Sequence, residues 1–333
     1  MTDWERFISA ENFALALRKA AQGRRANPGV MRFMENAAEN LERIRADVAA
    51  GRFATSPYRT MEVRDPKRRT IYILPFNPDR IVHHAVMNIV APVWERIFIR
   101  DSYACIKGRG QHLASRRAME FARKNKYVLK CDIRKFYPSI RHDAMSEVAG
   151  RFVKDPGILK ILRGVIYSIP GGRNMPIGNL CSQWMGNLYL HDMDVFIKRR
   201  LGCKCYLRYC DDFCLFSDDK RQLKEWRGEI GDFIRDRLDL EFSKSEIFPV
   251  KSGLDFVGYR HFPSFVMIRK RTAKKMCGNL RRIGAMKEIP AHKMENLRGQ
   301  VAAAYGWMKH ACTYNLQKKL RMGRLKRMTG IKG

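Results

Sequence analysis

Acidic residues are scarce in this chain. Only 33 Asp and Glu stand against 65 Lys and Arg in 333 residues, a net charge of +32. An excess of that size repels itself unless a polyanion is near, and nucleic acid is the first candidate. A basic enzyme with a solvated Lys/Arg surface is the plainer reading. Long apolar runs are missing as well. No uncharged stretch approaches the roughly 18 residues of a spanning helix. The opening Met1-Thr2-Asp3-Trp4-Glu5 is polar, so neither a membrane span nor a secretory signal is expected. No internal repeat or low-complexity tract interrupts the chain. The nine cysteines are odd in number and scattered, which argues against a disulfide framework. Free thiols in a reducing, cytoplasmic compartment are the expectation. Cys203, Cys205, Cys210 and Cys214 crowd together, but their spacing fits no ordinary zinc site and alternation puts them on a hairpin. With 45% hydrophobic and 11% aromatic residues, the chain has ample material for a core, which excludes wholesale disorder.

The charge is uneven. From Arg260 to Gly333 there are 19 Lys and Arg and two acids, so +17 of the excess sits in the last 74 residues. Such a segment reads as a surface that grips a phosphate backbone. Ahead of it the pattern changes several times. Residues 1–50 read as helical, with Asn27-Pro28 as a helix start and a stripe of Met34, Ala37, Leu41, Ile44 and Val48. Residues 58–76 read as a basic hairpin around the turn signal Asp65-Pro66-Lys67-Arg68. A helical stretch over 79–100 follows, then a buried strand over Tyr127–Ile133, helices over 141–166 and a helix over about 182–201. Two short strands, Cys205–Tyr209 and Phe213–Phe216, meet at Cys210-Asp211-Asp212. A helix over about 220–238 and extended pieces at Glu241–Pro249 and Leu254–Phe262 precede a basic helical remainder with Leu297, Val301, Tyr305 and Met308 on one face. Strand, helices, hairpin, helix, strand is the βαββαβ order of a ferredoxin-like α+β unit.

Two acidic positions stand out against this basic background. Asp132 ends an apolar strand, and Asp211-Asp212 sit at a hairpin tip flanked by Tyr209 and Phe213. A carboxylate at a strand end in an apolar sheet is costly unless a cation compensates it. Two divalent ions roughly 3.5–4 Å apart, held by carboxylates from different strands, can activate a 3′-hydroxyl and stabilise a leaving pyrophosphate. Magnesium suits such hard oxygen ligands. An Asp-Asp pair alone is equally a solvated turn. The spacing from Asp132 and the aromatic flanks favour the metal site.

These residues resemble a known family. Tyr209-Cys210-Asp211-Asp212-Phe213 resembles the Tyr-x-Asp-Asp palm motif of reverse transcriptases, and the run Lys130 to Ile140 their first metal-binding motif. The segments Asp79 to Glu95 and Asp101 to Ala104 are similar to the fingers of retroelement enzymes related to group II introns, and Leu254 to Tyr259 to their primer grip. Between the carboxylate motifs most reverse transcriptases carry Gln-Gly-x-x-x-Ser-Pro. Here the segment is Ile177-Gly178-Asn179-Leu180-Cys181-Ser182-Gln183, which resembles the enzymes of diversity-generating retroelements, with Cys181 where Thr is common. The run Val301 to Ala311 is similar to their thumb helix. Those enzymes copy a template-repeat RNA into cDNA with frequent errors opposite adenine.

The resemblance implies an α+β right-hand polymerase with a ferredoxin-like palm, mixed fingers and a helical thumb. Its expected parts are a helical N-terminal extension over 1–55, fingers over 56–126, a palm over 127–262 with a fingers insertion at about 141–175, and a basic thumb over 263–333. Asp132 and Asp211 would ligate two Mg²⁺ ions (Mn²⁺ being the alternative), with the Ile133 main chain beside them and Asp212 assisting. Ile133, Phe136 and Tyr137 would border the nucleotide, Tyr137 lying under the sugar to exclude a 2′-hydroxyl; its bland role is a core aromatic. Arg64 and Arg69 would clamp the triphosphate, or belong to a solvated turn. Ile177 and Gly178 would face the incoming base, or Ile177 would merely pack behind it. Lys244 would protonate pyrophosphate as a general acid, or lie on the surface.

The implied partners are a structured template RNA, its RNA–DNA duplex, dNTPs and a small basic accessory protein, with no membrane. The implied reaction is RNA-directed DNA synthesis. The alternatives are a standalone antiviral-defence reverse transcriptase copying a noncoding RNA, and a group II intron-like enzyme, for whose further domains the last 74 residues leave little room. An RNA-dependent RNA polymerase, or a nucleic-acid-binding protein that has lost catalysis, stands further off.

Overall fold

A computed structural model describes residues 1–64 and 68–331. Helices α1 (Asp3–Phe7), α2 (Ala10–Ala21), α3 (Pro28–Glu35) and α4 (Ala37–Ala49) open the chain. Their starts follow from capping chemistry. Thr2 and Glu5 form a reciprocal capping box, Ser9 caps α2, and the Asn27 side chain accepts from the Gly29 amide with Pro28 at the first helical position. The expected stripe does not run unbroken. The helix stops at Asn36 (φ −128°, ψ 49°), so Ile44 and Val48 are buried while Met34 is exposed.

Strands β1 (Arg59–Val63) and β2 (Arg69–Ile73) pair antiparallel, with Arg59 opposite Ile73 and Val63 opposite Arg69. The turn expected at Asp65-Pro66-Lys67 lies outside the described residues. Helix α5 (Ile81–Ile97) is apolar on most sides and is buried along much of its length. Then come α6 (Gln111–Lys124), β3 (Tyr127–Ile133), α7 (Phe136–Ser139), α8 (His142–Phe152) and α9 (Pro156–Ile166), the last capped by Asp155 through the amides of Gly157 and Ile158. The single helix expected over 182–201 is broken: α10 (Leu180–Tyr189) ends at Leu190, and α11 (His191–Val195) continues into a wider turn.

Strands β4 (Tyr206–Tyr209) and β5 (Asp212–Ser217) form the Asp-Asp hairpin. Helix α12 (Lys220–Leu238) and β6 (Phe242–Pro249) follow. The piece expected to run extended from Leu254 to Phe262 instead folds back as β7 (Leu254–Phe256) and β8 (Tyr259–His261). Val257 (φ 43°) and Gly258 (φ 82°) make that turn. A Cβ on Gly258 would fall 2.5 Å from the Trp307 indole, so only glycine serves both the turn and the contact. Strand β9 (Val266–Ile268) adds to β8 and was not legible as a strand. Helices α13 (Lys270–Gly284), α14 (Ala291–Met308), α15 (Tyr314–Lys319) and α16 (Met322–Met328) end the described chain.

The chain divides into two compact units. The first comprises residues 1–106, 132–202 and 228–244. In it α2 packs on α5, and the buried Asn12 amide donates to the carbonyls of Phe7 (2.8 Å) and Ala85 (3.1 Å). The second comprises residues 107–131, 203–227 and 245–333. It holds β4, β5, nearly all of β3 and most of β6, in the order β4-β5-β3-β6. With the first strand of the motif between the third and the last, this is the ferredoxin-like arrangement. A separate sheet, β7-β8-β9, joins the helical core of Leu280, Ile283, Leu297, Val301 and Leu325 through Tyr259 and Ile268.

Candidate active site

In the first unit, Asp132 lies at the end of β3, half-buried. Its Oδ2 accepts a 2.5 Å hydrogen bond from the Ser243 hydroxyl, a short bond of the kind a charged acceptor makes. The chain then turns sharply, with Lys135 in the left-handed region (φ 42°). The Arg134 amide and guanidinium both engage Glu241, at 2.8 and 3.2 Å. Ile133 and Phe136 are buried, and the half-buried Tyr137 ring lies 5.1 Å from that of Phe136. Both rings rest on Gly186 of α10. A Cβ there would stand 3.1 Å from Tyr137 and 3.2 Å from Phe136. A methyl group there would have to press both rings aside by a few tenths of an ångström.

The segment before α10 is tied to the basic hairpin. The Tyr72 amide donates to the Ile177 carbonyl at 2.7 Å. Gly178 has φ 120°, and a Cβ on it would fall 2.5 Å from the Tyr72 carbonyl oxygen. Both conformation and contact demand glycine. Two tyrosines of the hairpin region add side-chain bonds. Tyr72 accepts from the Asn174 amide at 2.8 Å, and Tyr58 from Asn179 at 2.8 Å while sharing a 2.9 Å bond with Ser168. Burial raises the Tyr58 phenol above its ordinary pKa, although these bonds oppose the shift. Arg64 and Arg69 are exposed, Arg69 within β2 and Arg64 just past β1. Glu62 pairs with Arg68, across from Thr70. Lys244 is exposed on β6, which begins at Phe242 and so includes it.

In the second unit, Tyr209 pairs with Asp212 across the hairpin, so Cys210 and Asp211 are its two-residue tip. Cys210 takes φ 55°, a conformation that costs a non-glycine residue about 1 kcal/mol. Its carbonyl accepts from the wholly buried Arg208 guanidinium at 3.0 Å, which holds the tip from below. Asp212 faces the Lys130 ammonium at 3.4 Å. Burial is the largest single influence and lowers the Lys130 pKa, but Asp212, Cys214 and Asp255 together outweigh it and the net shift is upward. Lys130 also donates to the Asp255 main-chain carbonyl, and the Asp255 carboxylate receives Arg269. Charges thus alternate from the Asp-Asp hairpin to the start of α13. Burial pushes the Cys214 thiol well up, which makes it inert rather than nucleophilic.

Among the described residues, no group of three or more His, Cys, Asp or Glu is arranged to hold a metal ion. The donors present are nevertheless hard carboxylate oxygens, the type magnesium takes. That ion usually binds one or two carboxylates and completes its shell with water and substrate phosphates. The donor set fits.

Residues 64–261 match the family described as reverse transcriptase (RNA-dependent DNA polymerase), well over half of the chain. The chain belongs to this family. The chain is 24% identical over 317 residues to protein YkfC of Escherichia coli K12, covering 80% of this chain and 79% of that one. It is 24% identical over 131 residues to an uncharacterized 91 kDa protein in cob intron of Schizosaccharomyces pombe, 36% of this chain and 16% of that one. Among solved structures it resembles apo telomerase from Candida tropicalis, with TM-score 0.56 and 12% identity over 75% of this chain. It also resembles telomerase from Candida albicans in complex with a fragment of telomeric RNA, with TM-score 0.51 and 12% identity over 84% of this chain. The chain spans about half of the first of these, 52%, and 61% of the second. The likeness establishes an α+β fold of the right-hand polymerase type, the class expected from the sequence. Among the described residues, no helix is long and apolar enough to cross a membrane.

Several residues around the family's motifs escaped the sequence reading. Lys130 was recoverable, because period-two alternation puts it on the same face of β3 as Asp132. Ser243, Gly186 and Arg208 carried no local signal, since each acts through a contact distant in sequence or through burial.

Proposed function

We propose that this chain copies a structured template RNA into cDNA with frequent errors at template adenines, as the polymerase of a diversity-generating retroelement. The observation that carries this reading is the segment Ile177-Gly178-Asn179-Leu180-Cys181-Ser182-Gln183. Its backbone is fastened to β2 through Tyr72, which supports a fixed position for Ile177; in this reading its side chain then sets the chemistry offered to a base pair. An aliphatic chain donates no hydrogen bond where glutamine would. Selection at that point then rests on shape alone.

In this reading residues 1–55 form an N-terminal extension, 56–126 fingers, 127–262 palm and 263–333 thumb. Asp132, Asp211 and the Ile133 carbonyl would hold two Mg²⁺ ions, with Asp212 assisting. Bound there, the ions supply Lewis-acid stabilisation of the attacking 3′-oxygen and the departing pyrophosphate. The primer 3′-hydroxyl forms a bond to the α-phosphorus of a dNTP, the α–β anhydride bond breaks, and the hydroxyl proton passes to solvent. Lys244 protonates the pyrophosphate. Arg64 and Arg69 hold the triphosphate. Phe136 supports Tyr137, whose ring excludes a 2′-hydroxyl. Template and duplex bind through phosphates, so affinity falls steeply with salt. A small basic accessory protein supplies template choice.

The test is the error spectrum of Ile177→Gln copying an RNA template. Misincorporation opposite adenine falls in the variant while the other template bases are copied as before. An unchanged spectrum removes the role of Ile177 and, with it, the main support for the retroelement reading. The intron-borne relative favours a second reading, a group II intron-like reverse transcriptase. Uniform fidelity at all four template bases in the native enzyme would select that reading or the antiviral one.

A further inference from the structure

The Asp132 carboxylate, near the end of β3, is met by a hydroxyl from the neighbouring strand. Ser243 Oγ lies 2.5 Å from Asp132 Oδ2 and 3.2 Å from the Asp132 carbonyl oxygen. A serine hydroxyl has a single proton to donate. The closer oxygen is also the charged one, and charge-assisted bonds are the stronger. The proton therefore goes to the carboxylate.

Strand register sets this meeting. β3 and β6 are neighbours in the sheet, and the Arg134 amide donates to the Glu241 carbonyl at 2.8 Å. That main-chain bond fixes the start of β6 against the end of β3. Side chains alternate along a strand, so Ser243 comes to Asp132 while Phe242 and Lys244 turn to the other face. A slip of one position would bring a phenyl ring or an ammonium group to the carboxylate instead. The ring would offer no donor. The ammonium would cancel the negative charge that a divalent ion needs. A hydroxyl orients the carboxylate and leaves its charge intact.

We propose that Ser243 is a positioning residue for Asp132: its hydroxyl holds the carboxylate plane in the orientation in which it receives a divalent ion. Ser243 acts through Asp132 and touches neither ion nor substrate in this role. The proposal rests on the reading of Asp132 as a metal ligand. Without the bond, the carboxylate turns about its terminal torsion, whose preferences are broad. Ion binding must then order it, and affinity falls. Outer hydrogen-bond partners of ligating groups contribute about 10–100-fold in metal affinity.

The experiment is Mn²⁺ binding to the full chain, followed by electron paramagnetic resonance without nucleic acid or dNTP. The native protein is compared with Ser243→Ala, Ser243→Thr and Asp132→Asn, each checked for folding by thermal unfolding. Ser243→Ala weakens binding by about tenfold, the lower end of that range. Ser243→Thr keeps the hydroxyl, suits a strand and binds as the native protein does. Where the alanine variant loses stability, Ser243→Val takes its place, matching threonine in shape without the hydroxyl. Native affinity in the folded variant that lacks the hydroxyl, or an equal loss in Ser243→Thr, overturns the proposal. Asp132→Asn separates this failure from that of the underlying reading. Binding lost there but native in Ser243→Ala sinks the role of Ser243 alone. Native binding in Asp132→Asn sinks the metal reading and the proposal with it. In primer extension, the metal concentration at half-maximal rate rises in Ser243→Ala by the same factor as the Mn²⁺ dissociation constant, and saturating metal restores the rate. A rate deficit that saturating metal leaves in place is a structural loss and overturns the positioning role.

Discussion

The Lys130 ammonium stands 3.4 Å from the Asp212 carboxylate, with roughly a quarter of each side chain exposed. The pair lies between full solvation, where such contacts contribute little, and full burial, where breaking one is severe. Lys130→Met leaves Asp212 facing an apolar chain and is expected to destabilise the protein by about 1–3 kcal/mol. Asp212→Asn should recover part of that loss in the double variant. Chemical denaturation of the four proteins measures the coupling. Strictly additive losses would mean that the pair carries no energy of its own.

Gly178→Ala is expected to loosen the β1–β2 hairpin. The residue sits at φ 120° and the new Cβ would fall 2.5 Å from the Tyr72 carbonyl oxygen. Backbone strain alone costs of order 1–3 kcal/mol, and the clash with main chain adds to it. Faster proteolysis of the hairpin, with a raised KM for dNTP, is the expected result. A variant with unmutated protease resistance and KM would refute the docking role of Gly178.

The pattern of alternation and helical period made much of the fold legible. The strand Tyr127–Ile133 is legible because five of its seven residues are apolar, and the helix 220–238 because its polar and apolar faces repeat at helical spacing. What escaped was set by distant contacts. Strand β9 is three residues long in a basic stretch and exists because it pairs with β8. The turn at Val257-Gly258 looked like a strand interior, since its glycine answers to Trp307, 49 positions on. At the candidate site the carboxylates stand out by residue type and spacing. Ser243 carried no such signal, because its meaning lies in what it touches.

Gly186→Ala tests the seating of Tyr137. The added methyl would lie 3.1 Å from the ring and displace it by a few tenths of an ångström. Discrimination between dNTP and rNTP should weaken, and Tyr137→Ala should weaken it further, by about tenfold or more, equivalent to about 1.4 kcal/mol. The ratio of kcat/KM for the two nucleotide types is the measurement. Equal ratios in all three proteins would remove Tyr137 as a sugar gate.

Acid should destabilise the protein in a defined window. His261 is buried, its ring nitrogens 3.2 Å from the Leu254 carbonyl and 2.8 Å from the Ser115 hydroxyl. Burial pulls its pKa from 6.5 down to about 4, against the opposing Leu254 bond. Between those values the unfolded chain binds a proton that the folded chain refuses, so stability falls as pH drops through the window. Thermal unfolding of His261→Gln should decline less steeply over the same range. Parallel declines would place the acid sensitivity elsewhere.

The central claim is RNA-templated DNA synthesis by Asp132, Asp211 and Asp212. Primer extension on an RNA template with dNTPs and Mg²⁺, comparing the native chain with an Asp211→Ala, Asp212→Ala double variant, tests it most directly. The account predicts extension by the native chain that EDTA stops, and none by the folded variant. Equal extension by both, or none by the native chain with its RNA and accessory partner supplied, would contradict it.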